Sequence, residues 1–337
     1  MNTATGRERR FALTASLLGL LCGLLLVEGG MRLAGLQYTL YPTRFQFGWP
    51  DSRTLDTDFV LDPRIQWKPR DYDTVLQHAR GHRIDIIHMG DSCTQLGSYR
   101  VALLTLLQTH YPDRHFTTLN LAVAGWSSYQ GLQQMQRDIV SLHPRLVTIY
   151  YGWNDHWLSF GIPDKQLDFS QAQHPWWRWL QHLRVFQLVA WVYNEQFILK
   201  KDVDNRPLRV SPTDYRNNLV QMVRVAREHG ITPILLTAPT SHRVGHEPAY
   251  LQDRFLHDLS QLVPLHQQYN TIVREVAQQE QARLLDLAAA FAAMPDSTVR
   301  DEYLMHDGIH WRPAGSQKVA DLLYDYLQAE QLIPPTP

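Results

Sequence analysis

The sequence predicts an α/β domain with a parallel sheet covered by helices on both faces, behind one apolar segment near the N-terminus. Five short apolar or β-branched runs alternate with helical stretches, and continuous apolar runs are typical of strands buried on both faces. A length of 337 residues accommodates one large domain or two small ones. The five predicted strands lie at residues 84–89, 116–123, 146–151, 233–238 and 283–287.

The composition excludes several classes of protein. With 44% hydrophobic residues the chain is too apolar for a disordered protein, and its formal net charge of −1 lacks the basic excess of a nucleic-acid-binding surface. The two cysteines, Cys22 and Cys93, are too few for a disulfide framework and form no CxxC metal or redox pair. We therefore expect no nucleic acid among the partners of this protein.

One long apolar run, at residues 11–27, contains no charged side chain. As a helix its seventeen residues would span about 26 Å, close to the thickness of a hydrocarbon core. Arg7, Arg9 and Arg10 precede it, which favours a cytoplasmic N-terminus. We predict residues 1–35 to be a cytoplasmic tip and a single-pass anchor in the inner (cytoplasmic) membrane, with the remaining chain on the periplasmic or extracellular side. A cleaved signal peptide and a buried core helix are the alternatives, although no Ala-x-Ala-like site follows the run.

Residues 36–80 combine four prolines with aromatic and charged residues and show no long periodicity. We interpret them as a stalk that packs along the following domain, with Trp49 and Trp67 as candidate contacts. The domain itself is predicted to span residues 81–330, followed by a C-terminal tail at 331–337. Its candidate helices lie between and after the strands, at residues 99–110, 129–141, 213–229, 266–281 and 315–328.

An insertion at residues 156–210 interrupts the alternation of strands and helices. It holds five of the chain's ten tryptophans, and its part at residues 176–197 is predicted to be an aromatic-rich helix. Three interpretations stay open: a helical excursion packed on the domain, a wall of a substrate groove, and a surface in the bilayer interface, where tryptophan is favoured. The five residues are Trp157, Trp176, Trp177, Trp179 and Trp191.

Four short motifs follow predicted strands or precede the last helix. The first strand is followed by Gly-Asp-Ser with Ser92, the second by a loop with Gly125, and the third by Gly-Trp-Asn-Asp with Asn154. Asp-Gly-Ile-His, with Asp307 and His310, comes before the last helix. Ligands of open α/β sheets bind beyond the carboxyl ends of the strands. If the first strand lies between the second and the third, the three loops converge on one crevice.

In this order the four motifs resemble those of the SGNH, or GDSL-type, hydrolases. The resemblance covers residues 83–328, and the chain looks like a membrane-anchored bacterial-type member of this family. It implies a flavodoxin-like, doubly wound sheet of five parallel strands in the order 2-1-3-4-5, with helices on both faces. It also implies that Ser92 is the nucleophile, that His310 is the general base, and that Asp307 orients the imidazole.

The resemblance further assigns an oxyanion hole to the backbone N–H groups of Ser92 and Gly125 and to the side-chain amide of Asn154. Trp126 and Trp153 each adjoin one of these residues in sequence, and we interpret them as aromatic side chains at the rim of the substrate site. No metal and no cofactor are required for this chemistry.

These roles predict a serine esterase that removes an acyl group, with acetyl favoured, from an oxygen ester. The outward-facing placement favours a small-molecule, glycan or lipid ester of the cell envelope or the extracellular space as substrate. An O-acyltransferase acting on a cell-surface sugar is the alternative, because it would use the same site with a sugar hydroxyl in place of water. A binding protein without activity is a third hypothesis, which the intact motifs disfavour. The sequence makes no prediction about oligomeric state.

Overall fold

The computed structural model describes residues 6–38, 58–159, 162–167, 174–193, 196, 206–252 and 256–333. Its first element is a helix of 28 residues, α1 (Gly6–Leu33). The part from Arg10 to Leu33 is long and apolar enough to cross a membrane, and it is almost entirely exposed. The interpretation of this segment as a buried core helix is therefore wrong. Its length and composition fit both a membrane anchor and a signal sequence.

A two-stranded antiparallel hairpin and a short helix precede the main sheet. Trp67 is fully buried in the same hydrophobic cluster as the sheet residues, and Arg137 donates hydrogen bonds to both carboxylate oxygens of Asp62 at 2.9 Å. The structure thus places Trp67 in the core, whereas Trp49 lies outside the described residues. The elements of this segment are β1 (Phe59–Asp62), β2 (Gln66–Pro69) and α2 (Tyr72–Ala79).

Five parallel strands form the central sheet: β3 (Ile86–Gly90), β4 (Thr118–Asn120), β5 (Leu146–Tyr150), β6 (Thr232–Leu236) and β7 (Arg283–Leu285). They lie in the order β4-β3-β5-β6-β7, so the first strand of this sheet lies between the second and the third. This is the predicted order 2-1-3-4-5, and the predicted flavodoxin-like fold is confirmed. Because the strands are parallel, the loops that follow them share one edge of the sheet.

Helices cover both faces of this sheet. The helices that follow β3 along the chain are α3 (Ser92–Gln95), α4 (Tyr99–His110), α5 (Ser128–Gln134), α6 (Val140–Leu142), α7 (Pro175–Gln181), α8 (Arg184–Tyr193), α9 (Pro212–Glu228), α10 (Leu262–Gln279), α11 (Leu287–Ala292), α12 (Asp296–Thr298) and α13 (Pro313–Ala329). Of these, α7 and α8 belong to the insertion, where α8 contacts α1. Side chains alternate along β3, so that Ile87 and Met89 enter one hydrophobic cluster and Ile86 enters another. The first cluster packs against α2, α5, α9 and α10, and the second against α4, α11 and α13.

The insertion contains the two helices α7 and α8 where a single helix over residues 176–197 is predicted, so that prediction is wrong. The N–H groups of His182 and Leu183 bond to carbonyls three residues earlier, which tightens the end of α7. The N–H of Val185, in the first turn of α8, then donates to the carboxylate of Glu28 at 2.9 Å. A contact from α1 therefore stabilises the start of the second helix.

Candidate active site

Ser92 is the first residue of α3 and follows β3 after a single residue. That residue, Asp91, caps the helix, because its carboxylate accepts the Cys93 N–H at 2.9 Å. The strand-to-helix turn is tight: a Cβ at Gly90 would lie 2.7 Å from the carbonyl oxygen of Tyr150. Glycine is therefore required where β3 ends, and the turn places the Ser92 hydroxyl at the carboxyl edge of the sheet.

The side chains of Ser92, His310 and Asp307 form one hydrogen-bonded chain. Nε2 of His310 lies 2.8 Å from Oγ of Ser92, and Nδ1 of His310 lies 2.7 Å from Oδ2 of Asp307. The other carboxylate oxygen of Asp307 accepts the N–H groups of Ile309 and His310. An acceptor at Nδ1 places the imidazole proton there, which leaves Nε2 free to accept the serine proton.

The charge state of this chain follows from its surroundings. Burial alone would raise the pKa of Asp307, but hydrogen bonds from His310 and from two backbone N–H groups hold this pKa well below its usual range. Burial alone would lower the pKa of His310, but the adjacent Asp307 carboxylate outweighs it and raises this pKa. The pair is therefore arranged to favour an imidazolium facing a carboxylate, which is the state that forms when a serine is deprotonated.

The loop that carries Gly125 is tied to the turn that carries Ser92. The Ala124 N–H donates to the side-chain oxygen of Gln95 on α3 at 2.8 Å. Gly125 has a φ of 82°, in the left-handed region that favours glycine. The side-chain amide of Asn154 is buried and donates to the carbonyl of Trp126 at 3.0 Å. The structure thus brings the loops after β3, β4 and β5 together at one edge, as the sequence motifs predict.

A buried ion pair from the ends of the insertion also holds this loop. Arg209 and Asp164 approach to 2.8 Å, and both are almost completely inaccessible to solvent. Arg209 also donates to the carbonyl oxygen of Gly125 at 2.8 Å, and Asp164 accepts from the hydroxyl of Ser127 at 2.8 Å. Sequence reasoning missed this pair, because neither residue lies in a recognisable motif and 44 residues separate them in the chain.

Asp155 links the third loop to α5. One carboxylate oxygen accepts both the N–H and the hydroxyl of Ser128, and the other accepts the Gly152 N–H at 3.1 Å. Burial raises the pKa of Asp155 to about 7 against the opposing effect of the Ser128 hydrogen bonds. This carboxylate therefore ties the backbone just before Asn154 to the start of α5.

His242 supports the loop that carries Asp307 and His310. Its Nε2 donates to the carbonyl oxygen of Asp307 at 2.7 Å, and a Cβ at Gly308 would lie only 2.6 Å from the same nitrogen. Gly308 has a φ of 73°, so the close approach and the backbone conformation both require glycine. No sequence motif indicates His242, and its contact arises only from the packing of the loop after β6 against the last motif.

The two tryptophans interpreted as aromatic side chains at the rim of the site, Trp126 and Trp153, are both buried. Trp126 is fully buried and donates its indole N–H to the carbonyl of Trp67 at 3.0 Å. Trp153 is also buried and stacks on His266 with ring centroids 3.8 Å apart. Both indoles pack into the two hydrophobic clusters beneath the site, because β2 and α10 supply partners that the local sequence does not reveal.

Comparison with curated proteins and solved structures gives several similar proteins. The lipoprotein YqeF of Bacillus subtilis (strain 168), itself uncharacterized, is 28% identical over 138 residues, which make up 37% of this chain and 54% of that protein. The match thus spans about half the length of this curated relative. LAE5, an alpha/beta hydrolase enzyme from the metagenome of Lake Arreo, Spain, is 21% identical with a TM-score of 0.48, over 74% of this chain and 96% of its own.

Two further solved structures have similar sequence identities, coverages and TM-scores. The lipase/acylhydrolase from Enterococcus faecalis is 16% identical with a TM-score of 0.46, over 73% of this chain and 97% of its own. A variant of Axe2, an acetyl-xylooligosaccharide esterase from Geobacillus, is 19% identical with a TM-score of 0.48, over 74% and 94%.

The family itself is shown by residues 88–318, more than half of the chain, which match the GDSL-like Lipase/Acylhydrolase family. The matched segment contains all four motifs, from Ser92 to His310. The chain therefore belongs to the GDSL-like lipase/acylhydrolase family, as the four motifs predict.

Proposed function

We propose that this protein is a carboxylic-ester hydrolase, a serine esterase that removes an acyl group, with acetyl favoured, through an acyl-enzyme on Ser92. The observation that supports this most directly is the hydrogen-bonded chain from Oγ of Ser92 through the His310 imidazole to Asp307, with contacts of 2.8 and 2.7 Å. These distances lie in the range required for proton transfer from a nucleophile to its base.

In the proposed reaction, Oγ of Ser92 attacks the carbonyl carbon of the ester while its proton passes to Nε2 of His310. The tetrahedral intermediate then collapses, the bond to the alcohol oxygen breaks, and His310 returns the proton to the leaving alcohol. A water molecule, deprotonated by His310, then attacks the acyl-enzyme. The bond between the acyl carbon and Oγ of Ser92 breaks, His310 returns the proton to Oγ, and the carboxylic acid leaves. Asp307 stays ionised throughout and stabilises the imidazolium.

We assign the oxyanion hole to the backbone N–H groups of Ser92 and Gly125 and to the side-chain amide of Asn154. One of the two amide hydrogens of Asn154 is used by the carbonyl of Trp126, which fixes the orientation of the amide. The second amide hydrogen is the one we assign to the oxyanion. Donors fixed before the reaction stabilise the developing charge most effectively, because they need no reorganisation.

We further propose that residues 1–35 anchor the chain in the inner membrane and that the hydrolase domain, residues 81–330, lies on the periplasmic or extracellular side. The three arginines before the apolar run support this orientation. Residues 36–80 would connect the anchor to the domain, and residues 331–337 would form a tail. This placement favours an acylated glycan or lipid of the cell envelope as the substrate.

The test is turnover of p-nitrophenyl acetate by the full chain in detergent, beside a Ser92→Ala variant. We expect the substitution to lower kcat/KM by at least about 10³-fold, because it removes the nucleophile. Ser141→Ala is the matched control: its hydroxyl donates to the Asp138 carbonyl, away from the site, so its activity should be unchanged.

Labelling of Ser92 by a fluorophosphonate, read by peptide mass spectrometry, gives an independent measurement of the nucleophile. Retention of most activity in a folded Ser92→Ala protein, or labelling at another residue, would contradict the proposal. Comparing p-nitrophenyl acetate with the octanoate tests the acyl group, and faster turnover of the octanoate would exclude acetyl as the favoured group.

A further inference from the structure

The helices α7 and α8 of the insertion, here called the aromatic hairpin, expose large apolar side chains. Trp176 and Trp179 of α7 are more than half exposed, and Val189 and Tyr193 of α8 are equally accessible. Contiguous exposed apolar surface of this kind marks a site of interaction, because it costs free energy in contact with water. Tryptophan and tyrosine in particular favour the headgroup region of a bilayer, where the ring is buried and the polar atom stays hydrated.

The aromatic hairpin is attached to the C-terminal end of α1. The Val185 N–H donates to the carboxylate of Glu28 at 2.9 Å, and the guanidinium of Arg32 donates to the carbonyl of His182 at 2.8 Å. Glu28 and Arg32 are themselves paired at 2.6 Å, and Met31 between them is buried. The hairpin is therefore held at one defined height along the apolar helix.

That height corresponds to the surface of a bilayer. The uncharged part of α1 runs over residues 11–27, about 26 Å of helix, which nearly fills a hydrocarbon core. Glu28 is the first charged side chain after it, and Arg32 follows one turn later. Both charged groups belong at the level of the lipid headgroups, and the aromatic hairpin, which contacts them, lies at the same level.

We propose that the aromatic hairpin inserts its exposed side chains into the outer lipid headgroup region and forms a second membrane contact beside α1. This inference rests on the proposed membrane anchor. The occupant is the lipid surface and not a second copy of the chain, because the hairpin is bonded to Glu28 and Arg32, the first charged side chains after the uncharged part of α1. The same insertion carries Asp164 and Arg209 at its ends, so this contact orients the segment that holds the Gly125 loop.

The test uses the full chain in vesicles of phosphatidylcholine and phosphatidylglycerol, with an environment-sensitive fluorophore on single cysteines. The natural Cys22 lies exposed on α1, whereas Cys93 is buried and should not react in the folded protein. Labelled Cys22 therefore reports on the anchor. In a Cys22→Ala background, Trp179→Cys and Val189→Cys report on the hairpin. Gln278→Cys, an exposed position at the end of α10 beside the start of β7, is the matched control.

Lipids with a nitroxide near the headgroup should quench labels at 179 and 189 strongly, whereas lipids with a nitroxide deep in the acyl chains should quench them less. The label at Cys22 should be quenched more strongly by the deep nitroxide than by the one near the headgroup. The label at 278 should be quenched by neither lipid. Quenching at 179 and 189 no greater than at 278, with Cys22 still quenched, would overturn the proposal and leave the anchor intact. Loss of quenching at Cys22 as well would show that the anchor itself is wrong, and turnover of p-nitrophenyl acetate verifies that each variant is folded.

Discussion

At the scale of single residues, the side-chain amide of Asn154 is the proposed oxyanion-hole donor whose role can be tested by truncation. Asn154→Ala should lower kcat by about 10²–10³-fold with little change in KM, because the donor acts on charge that develops in the transition state. Asn270→Ala is the matched control. That buried amide bonds to the backbone of Ala238 instead, so its loss should reduce stability without an equal loss of kcat. Equal losses in kcat for both variants would contradict the assignment of Asn154.

In the proposed mechanism His310 is the general base, so its pKa determines how activity depends on pH. The base is active when neutral, and the Asp307 carboxylate raises its pKa, so kcat/KM should fall as the pH drops through a value above about 6.5. Asp307→Asn removes the charge that raises this pKa. It should therefore lower kcat/KM and move the acid limb of the pH profile of kcat/KM to lower pH. Asp296→Asn, which alters an exposed carboxylate paired with Arg243, should leave the limb in place. A wild-type midpoint below 6.5, or an unchanged limb in Asp307→Asn, would contradict this account.

The sequence could predict which residues meet at the site more readily than how deeply each is buried. Ser92, Gly125 and Asn154 each follow a parallel strand, so the strand order alone brings their loops together. Trp126 and Trp153 follow the same local pattern, yet their indoles are buried by partners more than fifty residues away. Burial of a side chain depends on such distant packing, which neither spacing nor periodicity records.

At the scale of elements, the ion pair between Arg209 and Asp164 joins the insertion to the loop after β4. Arg209→Met should destabilise the protein by about 3–5 kcal/mol, because it leaves the Asp164 carboxylate buried without its partner. It should also lower kcat at temperatures where the variant is folded, since the carbonyl of Gly125 loses a donor. Urea denaturation and turnover measure the two effects.

Arg300→Met is the matched control for this prediction, because its guanidinium pairs with Asp301 and both side chains are more than half exposed. Exposed pairs contribute little to stability, so the denaturation midpoint of this variant should barely change. A similar midpoint for both variants would show that the buried pair does not hold the insertion in place.

The predicted elements differ from those observed mainly where distant contacts decide their ends. The helix predicted at residues 99–110 coincides with α4, whereas the eight-residue apolar run at 116–123 contributes only the three-residue strand β4. The apolar run is longer than the strand because the side chains of Leu121 and Val123, which lie beyond the end of β4, are also buried in the core. The aromatic segment at 176–197 forms two helices, and the start of the second is held by Glu28, more than 150 residues away, which accepts the N–H of Val185.

At the scale of the whole molecule, the end of α1 is part of the packed structure. Met31 is buried, and Glu28 and Arg32 both bond to the insertion, so removal of these residues would expose a packed surface. A signal sequence destined for cleavage has no comparable reason to pack against the domain. The contacts therefore favour a chain that keeps α1 over one that loses it.

We therefore expect the mature protein to keep its N-terminal helix and to stay in the membrane fraction after alkaline carbonate extraction. A variant without residues 1–35 should be extracted by carbonate, because the aromatic hairpin alone buries too little apolar surface for irreversible insertion. Intact-mass measurement of the full-length product determines whether the helix is retained. Recovery of soluble protein whose N-terminus lies beyond residue 27 would identify a cleaved signal and exclude the anchor, and with it the second membrane contact that depends on Glu28.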